Sequence, residues 1–277
     1  MNNFIWYNPT RILFGRGTHN EVGRETAAYS RRILLLYGGE SLKAAGTYGA
    51  ITKSLTEAGV EYRELGGVRP NPRLSLVRQG ISLCRREGLD FVLAAGGGSV
   101  IDTAKAIAAG ILYPGDVWDF YHTEKRPEGV LPTGVVLTIP AAGSESSDGS
   151  VITREEENEK KSFCSPLLYP KFAILNPELC YTLPKRQIAA GSADILAHVM
   201  ERYFSPNGNT ELSDRLCEAA MKTIIHNAPL ALADPGRYEV WAELMWAGNV
   251  AHNGLLGKGR EEDWPSHNIE HELSALY

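Results

Sequence analysis

The stretch Asp90-Phe-Val-Leu-Ala-Ala-Gly-Gly-Gly-Ser-Val-Ile-Asp-Thr-Ala-Lys105 decides the fold class. A short apolar run predicts a buried strand, the glycines predict a tight turn, and the following residues predict a helix through Ala109. Ser99 and the first N–H groups of that helix can hold an anion, and a pyrophosphate is the obvious candidate. Such a turn can also be a packing device without a ligand, and it matches neither G-x-G-x-x-G nor a Walker A loop. Asp102 is better explained as compensating the helix dipole or bracing a loop than as a catalytic base.

The same alternation of apolar strands and amphipathic helices extends on both sides of this stretch. It predicts a parallel sheet with helices on both faces, which is an α/β domain. The strands are expected at 31–37, 61–65, 90–95, 134–139 and 171–177, and the helices at 19–29, 41–58 and 74–87. Two further features are expected: an edge hairpin of two short strands within 4–14, and a hairpin whose charged tip is 155–159.

After Pro184 the sequence has helix signals alone. They predict helices at 187–204, 210–232 and 238–256, and another that starts near Pro265. We therefore expect two domains: an α/β domain over 1–180 and a helical domain over 181–277.

The bulk composition is that of a globular protein, with 43% hydrophobic and 22% charged residues. A net charge of −5 argues against nucleic acid or an anionic membrane as a partner. We predict no membrane span and no secretory signal, and the four scattered cysteines predict reduced thiols in a cytoplasmic protein.

Two pairs of potential metal ligands lie in the predicted helical domain. Asp194 and His198 are four residues apart, as are His267 and His271, so each pair shares one face of a helix. Either pair alone can be an ordinary structural feature. Facing each other, they supply three or four N/O ligands, which suit Zn²⁺ or Fe²⁺ better than Mg²⁺ or Ca²⁺.

Four motifs together resemble the iron-dependent (group III) alcohol dehydrogenases, and in particular their butanol-dehydrogenase-like branch. The motifs span almost the whole chain in the family's order: Gly96-Gly-Gly-Ser-Val-Ile-Asp-Thr-Ala-Lys105, Leu137-Thr-Ile-Pro-Ala-Ala-Gly-Ser-Glu145, Gly191-Ser-Ala-Asp-Ile-Leu-Ala-His198 and His267-Asn-Ile-Glu-His271. The resemblance implies a dehydroquinate-synthase-like fold: an N-terminal Rossmann-like dinucleotide-binding domain, a C-terminal helical metal-binding domain, and a site in the cleft between them.

The resemblance also implies roles for individual residues. Asp194, His198 and His267 correspond to metal ligands, while His271 corresponds to a histidine near the nicotinamide that relays a proton. The positions that correspond to cofactor contacts are Gly97, Gly98 and Ser99 in the pyrophosphate loop, together with Thr138, Ser147 and Lys160. Ser147 replaces a more usual asparagine, and Lys160 can also be explained as a surface charge.

The cofactor preference is expected to depend on Tyr37-Gly-Gly-Glu-Ser41. NAD-preferring relatives carry an aspartate after this strand, where it binds the ribose 2′-hydroxyl and repels a 2′-phosphate. Gly38 and Gly39 stand there instead, as in NADP-preferring relatives, although the carboxylate of Glu40 would disfavour a phosphate. We predict NADP, with NAD as the alternative.

The expected reaction is hydride transfer between the nicotinamide and a small alcohol or aldehyde, with the metal as a Lewis acid. The alternatives are a polyol (glycerol-type) dehydrogenase of the same fold and a truncated, non-catalytic nucleotide-binding protein. Relatives carry a fourth histidine ligand and further helices downstream, so we expect that the chain, which stops at Tyr277 in a helix, is C-terminally truncated. The family also leads us to expect a homodimer.

Overall fold

The computed structural model describes residues 1–276, and it contains one six-stranded sheet and one hairpin. The strands are β1 (Arg11–Phe14), β2 (Arg32–Tyr37), β3 (Glu61–Leu65), β4 (Phe91–Gly96), β5 (Thr133–Leu137), β6 (Gly149–Arg154), β7 (Glu159–Cys164) and β8 (Phe172–Leu175). The sheet has the order β1-β8-β5-β4-β2-β3 and all its pairs are parallel, whereas β6 and β7 pair antiparallel. The parallel sheet and the charged hairpin are therefore both confirmed.

The helices follow the predicted alternation. They are α1 (Val22–Ala27), α2 (Ser41–Ala44), α3 (Thr47–Glu57), α4 (Leu74–Glu87), α5 (Gly98–Ile111), α6 (Asp119–His122), α7 (Lys185–Tyr203), α8 (Glu211–Ala233), α9 (Tyr238–His252) and α10 (Pro265–Leu276). Within residues 1–276, none of them is long and apolar enough to cross a bilayer. The end of the chain at Tyr277 lies outside the described residues.

The central strands are covered by helices on both faces, which explains their unbroken apolar sequence. In β2, Leu34 and Leu36 pack into one core cluster, whereas Ile33 and Leu35 pack into the other. Alternate residues of a strand point to opposite faces, so a strand buried on both sides needs apolar residues throughout.

The expected edge hairpin within 4–14 is wrong. Only β1 forms, and it pairs in parallel with β8. The Asn8 side chain explains the difference: its Oδ1 accepts a hydrogen bond from Thr10 N, and its Nδ2 donates to the carbonyls of Ser146 and Asn253. Pro9 has no N–H to offer a ladder. The segment is thus anchored by long-range contacts instead of folding back on β1.

The single helix expected at 41–58 is also wrong, because it is divided into α2 and α3. Gly46 adopts φ 78° between them, a left-handed conformation that ends one helix and that glycine accepts without a steric penalty. By contrast, α4 spans the predicted residues and ends at Gly88, which is also left-handed (φ 61°).

The helices from α7 onward pack on one another and on a loop of the sheet. A Cβ on Gly191 of α7 would lie 2.7 Å from the Pro140 carbonyl oxygen, and one on Gly248 of α9 would lie 3.7 Å from Pro140 Cβ. Because that loop follows β5, these contacts place both helices against the carboxyl end of the sheet. The last strand ends at Leu175 and α7 begins at Lys185; the division into 1–180 and 181–277 stays a prediction.

Candidate metal and nucleotide site

Three potential ligands converge where α10 meets α7. Asp194, His198 and His267 each offer one ligand atom, and these atoms lie within 4.8 Å of one another. His198 is buried, and the other two are half-buried. His271, the fourth member of the two sequence pairs, is outside this group and lies one turn farther along α10. The structure thus brings together the three residues that we predicted as ligands.

The ring orientation of His198 is set by its own helix. Nδ1 lies 2.8 Å from the backbone carbonyl oxygen of Asp194 and must donate to it, because a carbonyl oxygen can only accept. The same nitrogen lies 3.3 Å from Asp194 Oδ1. Nε2 therefore keeps its lone pair, as a metal ligand requires.

His267 is oriented by a residue that the sequence analysis missed. Its Nδ1 lies 2.9 Å from Glu201 Oε1, so the carboxylate accepts a hydrogen bond from Nδ1–H. Nε2 lies 3.7 Å from Asp194 Oδ1. Both histidines are thus free to bind a metal through Nε2.

The local electrostatics keep the carboxylate charged. Burial raises the pKa of Asp194, but the hydrogen bonds from His198 and His267 outweigh it, so the pKa lies below its usual range. Burial lowers the pKa of His267, but hydrogen bonds with Asp194 and Glu201 outweigh it, so the pKa is raised. A charge of −1 beside two imidazoles is the pattern that a divalent cation complements.

The residues present fit a metal. One carboxylate and two imidazole nitrogens are ligands that suit Fe²⁺ and Zn²⁺, whose bonds to nitrogen and oxygen are about 2.0–2.2 Å long. Each of the three side chains has a ligand atom within 4.8 Å of the other two, which is close enough for one ion to be shared.

A cationic and aromatic layer surrounds the histidines. The Trp264 ring makes edge contacts with His198 and His267, at centroid distances of 5.8 and 5.2 Å. The buried Arg202 lies over Trp264 at 4.4 Å and donates to the His198 carbonyl oxygen at 2.8 Å. His252 packs against His198 at 4.7 Å, and burial together with the charges of His198 and Arg202 holds its pKa well below the usual value. This layer limits the movement of the ligand rings.

The glycine turn lies at the carboxyl end of the sheet. Gly97 is extended after β4, and α5 begins at Gly98. A Cβ on Gly97 would meet Ile139 Cβ at 3.3 Å, and one on Gly98 would meet Ala142 Cβ at 3.4 Å. The turn is therefore close-packed against the loop after β5 and leaves little room for larger side chains. The N-terminus of a fourteen-residue helix at a glycine turn fits a nucleotide pyrophosphate.

Thr138 and Ser147 lie on the neighbouring loop in different environments. Thr138 directly follows β5 and donates its N–H to the Gly96 carbonyl oxygen at 3.1 Å, which places it beside the glycine turn. Ser147 is buried, and its carbonyl oxygen accepts from Lys105 Nζ at 2.8 Å. Its hydroxyl is also turned toward Lys105, at 3.4 Å. A cofactor contact through Ser147 stays a prediction.

The loop of Ser147 is fastened to α5 by two charged side chains. Lys105 is fully buried and also donates to the carbonyl oxygens of Ser144 and Gly149. Asp102 accepts from the Ser144 hydroxyl at 2.6 Å and from Val151 N at 3.0 Å. Burial raises the pKa of Asp102 and lowers that of Lys105. The interpretation of Asp102 as a loop-bracing carboxylate is confirmed.

Lys160 joins the hairpin to α10 and is not a plain surface charge. Its side chain is 10% exposed, and Nζ lies 2.8 Å from Glu270 Oε2. Nζ also donates to Asn71 Oδ1 at 3.1 Å and to Ser274 Oγ at 2.9 Å. The half-buried His271 follows Glu270 directly, and burial together with the charge of Lys160 lowers its pKa. Lys160 and His271 are therefore close enough in space to interact electrostatically.

The segment after β2 is open. A Cβ on Gly38 would meet the Val68 carbonyl oxygen at 3.4 Å, whereas one on Gly39 would meet nothing within 4 Å. Glu40 is 83% exposed and lies 3.4 Å from Lys43 Nζ. This segment has room for a ribose, either with or without a 2′-phosphate. The exposed carboxylate of Glu40 does not block either form.

The chain matches two family models along almost its whole length. Residues 9–177 match "Iron-containing alcohol dehydrogenase", and residues 188–277 match "Fe-containing alcohol dehydrogenase family, C-terminal". The first covers the sheet, and the second covers Asp194, His198 and His267.

Individual relatives agree with these matches. The chain is 45% identical to the Probable NADH-dependent butanol dehydrogenase 1 of Bacillus subtilis (strain 168), covering all of this chain and 72% of that protein. It is 40% identical to the NADPH-dependent aldehyde reductase YqhD of Escherichia coli (strain K12), again over all of this chain and 72% of the relative.

A solved structure shows the same fold. The NADH-dependent butanol dehydrogenase A of Thermotoga maritima superposes with a TM-score of 0.97 at 42% identity, covering all of this chain and 70% of that one. The predicted fold class, α/β followed by all-α, and the prediction of an alcohol dehydrogenase are therefore confirmed. The chain belongs to the iron-containing alcohol dehydrogenase family.

Proposed function

We propose that Asp194, His198 and His267 hold an Fe²⁺ or Zn²⁺ ion for NAD(P)-linked interconversion of small alcohols and aldehydes. The single observation that carries this proposal is the convergence of these three ligands. The relatives named as butanol dehydrogenases and as an aldehyde reductase support the substrate class, and their names include both NADH and NADPH.

The bound groups would divide the chemistry between them: the metal supplies Lewis acidity toward the substrate oxygen, and the nicotinamide supplies or accepts hydride. The chain's own residues would orient the cofactor and exclude water. Gly97, Gly98 and Ser99 would bind the pyrophosphate through backbone N–H groups, while Thr138 and Lys160 contact the remainder of the nucleotide. Trp264 packs on the ligand histidines and keeps water from their rings.

His271 is proposed to hold the proton that leaves the substrate. Because its pKa is lowered, it is neutral near pH 7 and can accept that proton. We expect His271→Ala to lower kcat about 100-fold or more, the usual contribution of a positioned proton acceptor, without loss of bound metal. Stopped-flow alcohol oxidation and metal analysis of one sample test both parts. Depleted metal, or an unchanged kcat, would contradict this role.

The cofactor preference is proposed to favour NADP, with Glu40 as the residue that opposes it. Its exposed carboxylate would repel a 2′-phosphate by about 1–2 kcal/mol. Glu40→Ser should therefore raise the ratio of kcat/KM for NADPH over NADH roughly 5- to 30-fold.

The matched control is Glu57→Ser, which removes another exposed carboxylate that also pairs with a lysine, Lys53. That ratio should not change in the control. A wild-type protein with a clear preference for NADH would overturn the predicted preference, and an unchanged ratio in Glu40→Ser would remove Glu40 from the selectivity.

We further propose a cytoplasmic homodimer. The four cysteines are free, and all but Cys164 are buried, which suits a reducing compartment. Four neighbouring side chains at the start of the chain are half or more exposed, although they are apolar or aromatic: Phe4, Ile5, Trp6 and Tyr7. Such a patch is typical of an interface. Sedimentation equilibrium tests the dimer, and a monomer at micromolar concentration would contradict it.

Substrate profiling separates the enzyme alternatives. We expect NADPH or NADH oxidation with butanal and the reverse reaction with butanol. A higher kcat/KM for glycerol than for butanol would favour the polyol dehydrogenase. Nucleotide binding without metal and without turnover would favour a non-catalytic nucleotide-binding protein.

A further inference from the structure

Glu201, the carboxylate bonded to His267, is buried next to the proposed metal ligands. It lies on α7, three residues after His198 and seven after Asp194, so all three share one helix face. Its side chain is only 5% exposed. A carboxylate is rarely buried this far without a partner that compensates its lost hydration.

The partner of Glu201 is His267, on a different helix. Oε1 accepts from His267 Nδ1 at 2.9 Å and from His267 N at 3.1 Å. The second bond satisfies a backbone N–H in the first turn of α10, where no helical carbonyl is available. One oxygen thus fixes both the ring and the start of the helix that carries it.

The three ligands differ in how they are held. Asp194 and His198 come from one helix, and the Asp194 carbonyl oxygen orients the His198 ring. His267 has no such support from α10, whose residues are half-buried or exposed throughout. The His267 ring is instead oriented by the hydrogen bond from its Nδ1 to Glu201 on α7.

We infer that Glu201 is a positioning residue of the metal site, holding His267 in the Nδ1–H tautomer with Nε2 directed at Asp194 and His198. The inference rests on the proposed metal site and deepens it. It predicts that removing the carboxylate weakens metal binding even though no ligand is lost. Outer hydrogen bonds to ligand histidines typically contribute about 10- to 100-fold in metal affinity.

The test measures metal affinity directly. Apo-protein is titrated with Co²⁺ and Zn²⁺ in competition with a chromophoric chelator, for wild type, Glu201→Ala, Glu201→Gln and Glu272→Gln. Glu272 is exposed on α10 and serves as the control for loss of a charge on that helix. The visible absorption of the Co²⁺ forms reports the ligand geometry, and urea unfolding of each apo-protein reports stability separately.

We expect Glu201→Ala to bind metal about 10- to 100-fold more weakly with an altered Co²⁺ spectrum, and Glu201→Gln to lose about 3- to 10-fold, because a neutral amide oxygen is a weaker acceptor. Glu272→Gln should stay within twofold of wild type. An affinity of Glu201→Ala within threefold of wild type would overturn the inference.

Two further outcomes are decisive. If Glu201→Ala does not fold, the nearly isosteric Gln variant decides: a loss of threefold or more supports the inference, and wild-type affinity with an unchanged Co²⁺ spectrum overturns it. If the wild-type chain itself binds no metal, the proposed metal site fails, and the inference fails with it. If wild type binds metal tightly and the Glu201 variants bind it equally well, the inference about Glu201 is wrong while the proposed metal site stands.

Discussion

His198→Ala should abolish tight metal binding and turnover together. The substitution removes a proposed ligand, whose Nδ1 is engaged by the Asp194 carbonyl oxygen so that Nε2 is left for the metal. With one carboxylate and one imidazole left, we expect the metal content after gel filtration to fall from near one ion per chain to near zero. The rate of butanal reduction should fall by at least about 1,000-fold, as expected for loss of the group that stabilises charge on the substrate oxygen.

The matched control is His226→Ala on α8, because His226 is exposed and far from the ligands in sequence. It should keep the metal and the rate of wild type. Elemental analysis and a coupled NAD(P)H assay on the same samples provide both readouts. Retained turnover in His198→Ala, with or without metal, would sink its assignment as a ligand.

Among the substitutions proposed, Lys105→Met should cause the largest decrease in the free energy of unfolding. The side chain is fully buried and donates to the carbonyl oxygens of Ser144, Ser147 and Gly149. Methionine has a similar volume but cannot donate, so the three carbonyl oxygens lose their donor, and the buried Asp102 loses the nearby positive charge that lowers its pKa. Breaking a buried charged network from one side typically costs about 3–5 kcal/mol.

Urea unfolding of the apo-protein measures this cost. The control is Lys222→Met, because Lys222 is exposed on α8. It should change the free energy of unfolding by less than about 0.5 kcal/mol. The double variant Asp102→Asn/Lys105→Met should recover part of the loss, because it removes a buried carboxylate that no longer has a positive charge nearby. A cost below about 1 kcal/mol for Lys105→Met would show that the network does not brace the loop.

The sequence was most informative where periodicity and turn chemistry agree. The helix α4 has apolar positions at helical spacing and a glycine at its end, and its predicted bounds match the structure. The pair Asp194 and His198 lies within one helix, so spacing alone placed both side chains on one face. Spacing also suggested His267 and His271 as ligands, the family resemblance selected His267, and the structure places His267 with that pair.

The sequence was least informative where long-range contacts decide. The side chain of Asn8 bonds to residues 138 and 245 positions away, and no local pattern announces this. The bond between Glu201 and His267 spans 66 positions. The local sequence offers only the i,i+3 spacing of His198 and Glu201, and the neighbouring Arg202 gives this segment the pattern of an ordinary charged surface. In the structure both side chains are nearly fully buried.

Metal reconstitution of the 277-residue protein tests the central claim most directly. Chelator-treated protein is titrated with Fe²⁺ or Zn²⁺ while butanal-dependent oxidation of NADPH and NADH is followed. We predict that activity rises linearly and reaches a plateau at one ion per chain, with no gain in His198→Ala. Saturable nucleotide binding with no turnover at any metal concentration would contradict a metal-dependent alcohol dehydrogenase.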